Sequence, residues 1–152
     1  MASSQNGWQA SPDRKAIDII STEVEGCKSK FAVNKIVAPI FKAFLAEFNE
    51  KVEKIDKGQD DWGFAYREVR GSTDMLSNHA SGTAVDVNAL KHPLGARDTY
   101  RPEQKVILDE LCAKYGLRGG YTYKNRPDDM HFEIQESPKE VKARIKRLGL
   151  DK

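Results

Sequence analysis

The stretch Ser77–Asn88, "SNHASGTAVDVN", holds one of the three histidines in this 152-residue chain, seven positions before an aspartate flanked by two valines. Ser81, Gly82, Thr83 and Ala84 lie between His79 and Asp86. These small residues let a backbone turn tightly or approach another segment closely. The valines beside Asp86 place it on a strand with apolar surroundings, where a carboxylate needs a partner. Imidazole and carboxylate at this spacing can meet at one metal ion.

The rest of such a site is supplied by "DDMHFE", in which Asp128 precedes His131 by three residues. His131 alternates with Met130 and Phe132, so on a strand it points away from their face. Two histidines and an aspartate make three protein ligands and leave a fourth tetrahedral position for water, the open pattern of a catalytic zinc site. Each residue also has an ordinary reading: His79 as a loop histidine, Asp86 as a cap, Asp128 and Asp129 as a solvated turn after Pro127. Their joint occurrence in a chain with only His92 besides favours the metal. His92, before Pro93 in a polar loop, reads as structural or surface.

Around these motifs the pattern is that of an α+β domain with helices at both ends of a few central strands, a small antiparallel sheet, and one domain over residues 1–152. Residues 1–11 read as an irregular lead-in whose Trp8 packs back, and Asp13 to Ile20 as a short helix. A core helix begins near Asn34, with Val37, Phe41, Phe44, Leu45, Phe48, Val52 and Ile55 three and four apart. "WGFAYREV", residues 62–69, alternates as a strand does. Pro102 to Tyr115 is a helix stopped by Gly116, "MHFEI" is a short strand, and Ser137-Pro138-Lys139-Glu140 opens the last helix with a capping box.

Composition narrows the function. A net charge of +2 with scattered Lys and Arg marks no nucleic-acid surface, and no stretch approaches the length of a membrane span. Cys27 and Cys112 are too far apart for a metal knuckle or a redox pair and read as free thiols. The N-terminus has no signal-peptide pattern, which implies synthesis in the cytoplasm. A monomer is expected.

"SNHASGTAVD" resembles the Ser-x-His-x-x-Gly-x-Ala-x-Asp signature, and "DDMHFE" the Asp/Glu-x-x-His signature, of the zinc peptidases that include D-alanyl-D-alanine carboxypeptidases, D-Ala-D-Ala dipeptidases and L-alanyl-D-glutamate peptidases, whose fold the hedgehog amino-terminal domain shares. The series "WGFAYREVRGS", "LSNHASGTAVDVN", "HPLG" and "DDMHFEI" is most similar to the peptidase domains of bacteriophage endolysins. The resemblance implies that His79, Asp86 and His131 bind Zn2+, that Asp128 is the catalytic carboxylate with Asp129 a bystander, and that an arginine on the preceding strand holds the developing oxyanion. Arg67 and Arg70 are the candidates, with Arg67 favoured. Ser77 would lie near the substrate, and Tyr121 or Tyr123 would take the place of a tryptophan in the wall. The substrate implied is a peptidoglycan stem peptide, cut by an L-alanyl-D-glutamate endopeptidase that reaches the wall through a separate pore. A D-alanyl-D-alanine carboxypeptidase and a non-catalytic zinc-binding recognition domain are the alternatives.

Overall fold

The structure is a computed structural model that describes residues 2–55, 59–69 and 75–152. It is α+β, with three helices and two small antiparallel sheets. A 3-10 turn at Arg14–Ile17 leads into a hairpin of β1 (Ile19–Glu23) and β2 (Lys30–Asn34). Helix α1 (Ala38–Lys51) follows, then β3 (Ala84–Asp86), α2 (Pro102–Tyr115), β4 (Leu117–Gly119), β5 (His131–Ile134) and α3 (Pro138–Arg147). The second sheet has the order β3-β5-β4, so β5 is central. Among the described residues no helix is long and apolar enough to cross a membrane.

The core is organised by the phenylalanine stripe of α1. Phe41, Phe44, Leu45 and Phe48 are fully buried, and Phe44 and Phe48 reach the ring of Phe132 on β5 at centroid separations of 5.0 and 5.8 Å. Val85 on β3 is paired with Phe132, and Leu117 on β4 with Ile134, so this face of the three-stranded sheet lies against the helices. Because side chains alternate across a strand, the opposite face carries Asp86, His131, Glu133 and Arg118.

Three sequence expectations are corrected. The Asp13–Ile20 segment is helical only at Arg14–Ile17: Asp18 adopts a left-handed conformation (φ 51°) and ends the turn, and the chain continues as β1. The helix expected from Asn34 begins at Ala38, because Asn34 closes β2, its amide bonded to the carbonyl of Gly82 and its side chain to Ile17 and Ile36. Residues 62–69 are not a regular strand. Their amides bond in turn to Asp86, Ala32, His79 and Met75, so the segment changes partner every few residues instead of forming one ladder.

The N-terminal residues lie outside the named helices and strands and are firmly tied to the rest of the fold. Asn6 donates from its side chain to Thr83 Oγ1 and the Ile134 carbonyl, its amide donates to Asn78 Oδ1, and the Trp8 indole donates to the Glu136 carbonyl. These bonds satisfy buried polar groups around the His79 turn that would otherwise be costly.

Truncating Phe44 should expose how far the stripe holds the sheet. Phe44→Ala is expected to cost about 3–5 kcal/mol, as for a fully buried aromatic side chain. Urea unfolding should show a lower midpoint at an unchanged slope.

Candidate metal and catalytic site

His79 stands on a 3-10 turn, Asn78–Ser81, that its neighbours define. Ser77 caps the turn by accepting from the His79 amide (3.2 Å), and Gly82 ends it at φ 70°. A side chain at Gly82 would strike Ile19 and the Asn34 amide, so the glycine serves both the left-handed conformation and the close approach of β2. Two residues later the chain enters β3, where Asp86 is paired directly across from His131. On its other side Asp86 exchanges both backbone hydrogen bonds with Trp62, and the Trp62 indole donates to Asp86 Oδ2 at 2.7 Å.

The three side chains converge. His79 Nε2 lies 3.2 Å from Asp86 Oδ2 and 3.2 Å from His131 Nδ1, which is 3.3 Å from Asp86 Oδ1. All three residues are buried, with candidate ligand atoms within 4.8 Å of one another. Ligands at roughly 2.0–2.1 Å around a tetrahedral ion are separated by about 3.3 Å along each edge. The donor set and its spacing therefore fit a small borderline metal such as zinc.

Both imidazoles are oriented from behind. His79 Nδ1 is 2.8 Å from the Gly63 carbonyl, which can only accept, so that nitrogen carries the proton and Nε2 offers its lone pair inward. His131 Nε2 is 2.6 Å from Glu133 Oε1, which also accepts from the Tyr123 hydroxyl at 2.7 Å. Burial opposes the charge on Glu133, but the bonds from His131 and Tyr123 prevail and lower its pKa. His131 thus presents Nδ1 to the cluster. Carboxylate or carbonyl support of this kind fixes the ring and strengthens it as a ligand.

The two acidic groups at the centre differ. Burial disfavours the Asp86 carboxylate, yet His79 and His131 outweigh it and hold its pKa well below the usual range. At Asp128 burial dominates and raises the pKa; the nearby Asp86 adds to the rise, and His131, His79 and Arg67 offset it only in part. Asp128 Oδ2 is 4.0 Å from His131 Nδ1, and its buried Oδ1 has no hydrogen-bond partner among the described residues. A buried carboxylate oxygen without a donor is costly. Asp128 also lines the cleft, where its carboxylate can receive a proton from a bound molecule.

That cleft, about 220 Å3, is lined by Arg67, Ser77, Tyr123, Arg126, Asp128 and His131 among others. It adjoins a second section of about 450 Å3 through a shared wall that includes Asn78, Tyr123 and Glu133. The groove therefore continues past the cluster. Arg70 lies outside the described residues. Tyr121 turns away to bond Asp109, which leaves Tyr123 as the tyrosine on the wall. Asp129 is not on a solvated turn: it is buried and accepts from the amide and hydroxyl of Thr99. His92 is structural, between Glu53 at 2.9 Å and Thr99 at 2.6 Å and stacked on Tyr100. Both cysteines are free.

Sequence reasoning did not single out Trp62, Gly63, Glu133 or Arg126. Glu133 alone carried a signal, since on a strand it must share a face with His131. Glu133→Gln is expected to weaken metal binding about 10–100-fold, the usual effect of removing such support. His79→Ala and His131→Ala should abolish it. Competition of each purified protein with a chromogenic chelator checks the order.

No curated protein and no solved structure matches the chain. Residues 70–134, the span from before the Ser77 cap to the end of β5, match the family model described as D-alanyl-D-alanine carboxypeptidase. The match covers less than half of the chain but contains His79, Asp86, Asp128 and His131, and it supports a hydrolase of the peptidase class acting on peptidoglycan-type substrates.

Proposed function

We propose that this protein is a zinc peptidase that cuts bonds within peptidoglycan stem peptides, an endolysin-type L-alanyl-D-glutamate endopeptidase. The observation that carries the reading is the buried His79–Asp86–His131 cluster with the unpartnered Asp128 Oδ1 beside it. His79 Nε2, an Asp86 oxygen and His131 Nδ1 would hold the ion. Zinc bound there supplies Lewis acidity toward water and toward a carbonyl oxygen.

The chain's own residues do the rest. Asp128 takes a proton from the attacking water and returns it to the leaving amine, a task suited to a carboxylate whose pKa burial has raised toward the working pH. The Arg67 guanidinium, on the same cleft wall, favours negative charge and would stabilise the oxyanion of the tetrahedral intermediate. Ser77 fixes the His79 turn and lines the cleft, where it would meet the substrate. The protein would meet the wall after release through a separate pore.

The groove's continuation past the cluster favours cleavage inside a peptide, since removal of a terminal residue needs a closed end. The description of the matching family favours the second reading, a D-alanyl-D-alanine carboxypeptidase. Purified walls separate the two. The expected outcome is loss of turbidity with release of peptide amines and no new reducing sugar ends; release of D-Ala alone would establish the carboxypeptidase instead.

Asp128→Asn tests the chemistry directly. It should keep its fold and metal while peptide cleavage falls about 10²–10⁴-fold, the usual contribution of a positioned general base. Asp129→Asn keeps a carbonyl that can accept from Thr99 and should cost far less. Circular dichroism, zinc content and cleavage rate measured side by side decide it: an active Asp128→Asn protein would move the acid-base role to another residue.

A further inference from the structure

Arg118 is on β4, directly across from Glu133 on β5, and so shares the sheet face of His131. Glu133 is two residues from His131, which places Arg118 one strand over and one row along, with Cα atoms roughly 8 Å apart by sheet spacings. Its obvious partner is engaged elsewhere: the Glu133 carboxylate receives His131 and Tyr123. No carboxylate lies within ion-pair distance of Arg118 among the described residues. The guanidinium is nevertheless held, because it sits over the Tyr123 ring at 4.7 Å from the centroid. Cation–π stacking of this kind orients the group without neutralising it.

This oriented cation lines the second section of the groove, whose polar lining also includes Gln5, Asn6, Gln135 and the Glu133 carboxylate already engaged by His131 and Tyr123. Arginine's planar fork matches a carboxylate bidentately. We propose that this section is a carboxylate subsite, in which Arg118, steadied by Tyr123, binds a free carboxylate of the peptide whose scissile bond lies at the cluster. The proposal deepens the peptidase reading and rests on it. Arg118 is a specificity residue here and takes no part in proton transfer.

Binding to zinc-loaded protein carrying Asp128→Asn tests the subsite without turnover. Three synthetic stem peptides are titrated calorimetrically: the free acid, the form with its internal carboxylate amidated, and the form with its C-terminus amidated. The acid is expected to bind about tenfold more tightly than one of the amides, and that amide identifies the carboxylate. Arg118→Gln in the same background should abolish the difference, Arg118→Lys should keep part of it, and Arg126→Gln, in the first section, should leave it intact. Equal binding of all three peptides, no binding of any, a difference that survives Arg118→Gln, or its loss in Arg126→Gln would overturn the subsite. Cleavage by the unsubstituted protein is scored separately. A protein that cuts wall peptides without an acid preference refutes only the subsite, and one that binds the acid through Arg118 yet cuts nothing refutes only the peptidase reading.

Discussion

The pairing of β3 with β5 is the constraint on which the site depends. With Val85 opposite Phe132, both enter the core, and Asp86 opposite His131 necessarily emerges on the other face. A slip of one residue would exchange the faces, turning an imidazole into the phenylalanine cluster and a phenylalanine toward the cleft. The register is therefore enforced by hydrophobic burial. Packing of Phe132 against Phe44 and Phe48 is what holds two candidate ligands in place, at no cost in polar atoms inside the core.

Collecting two imidazoles and three carboxylates in a mostly buried place is expensive unless every polar atom is satisfied. The surrounding segments supply most of the partners: the Gly63 carbonyl and the Trp62 indole from the irregular 62–69 stretch, and Tyr123 from the loop after β4, with Asp128 Oδ1 the exception among the described residues. This explains why so much irregular chain converges on one side of a small sheet. A regular ladder uses up its backbone groups within the sheet, whereas the changing partners of residues 62–69 free the Gly63 carbonyl for His79.

The His79–Asp86 spacing, the His131 alternation and the helices behind Pro102 and Ser137 were legible in the sequence because each is a local pattern: a small-residue turn, a period of two, a capping box. The hairpin of β1 and β2 was not. Ile19–Glu23 is largely exposed and shows little alternation, and Phe31 and Val33 offer too short a run to stand out ahead of the α1 stripe. Residues 62–69 misled for the opposite reason, since their alternation reflects an extended chain whose hydrogen bonds go to four different places. The supports of the imidazoles were hidden because a backbone carbonyl carries no mark in sequence. Buried Asp129 and His92 looked like loop polars, since their partners Thr99 and Glu53 are distant in the chain.

The adjacent aspartates show how the fold divides one charged pair into separate duties. The Asp128 amide bonds the Gly120 carbonyl and its own carbonyl receives the His131 amide, so its backbone is fixed on both sides. A side chain at Gly120 would overlap the Asp128 carbonyl, so the second glycine of "RGG" sets how closely this turn approaches the 3-10 segment after β4. One residue on, Asp129 points inward, where Thr99 donates twice and the Tyr100 hydroxyl binds its carbonyl. Those bonds anchor the turn to the loop before α2. With Asp129 committed to that anchor, Asp128 is the member of the pair that lines the cleft, and its Oδ1 is left without a hydrogen-bond partner among the described residues.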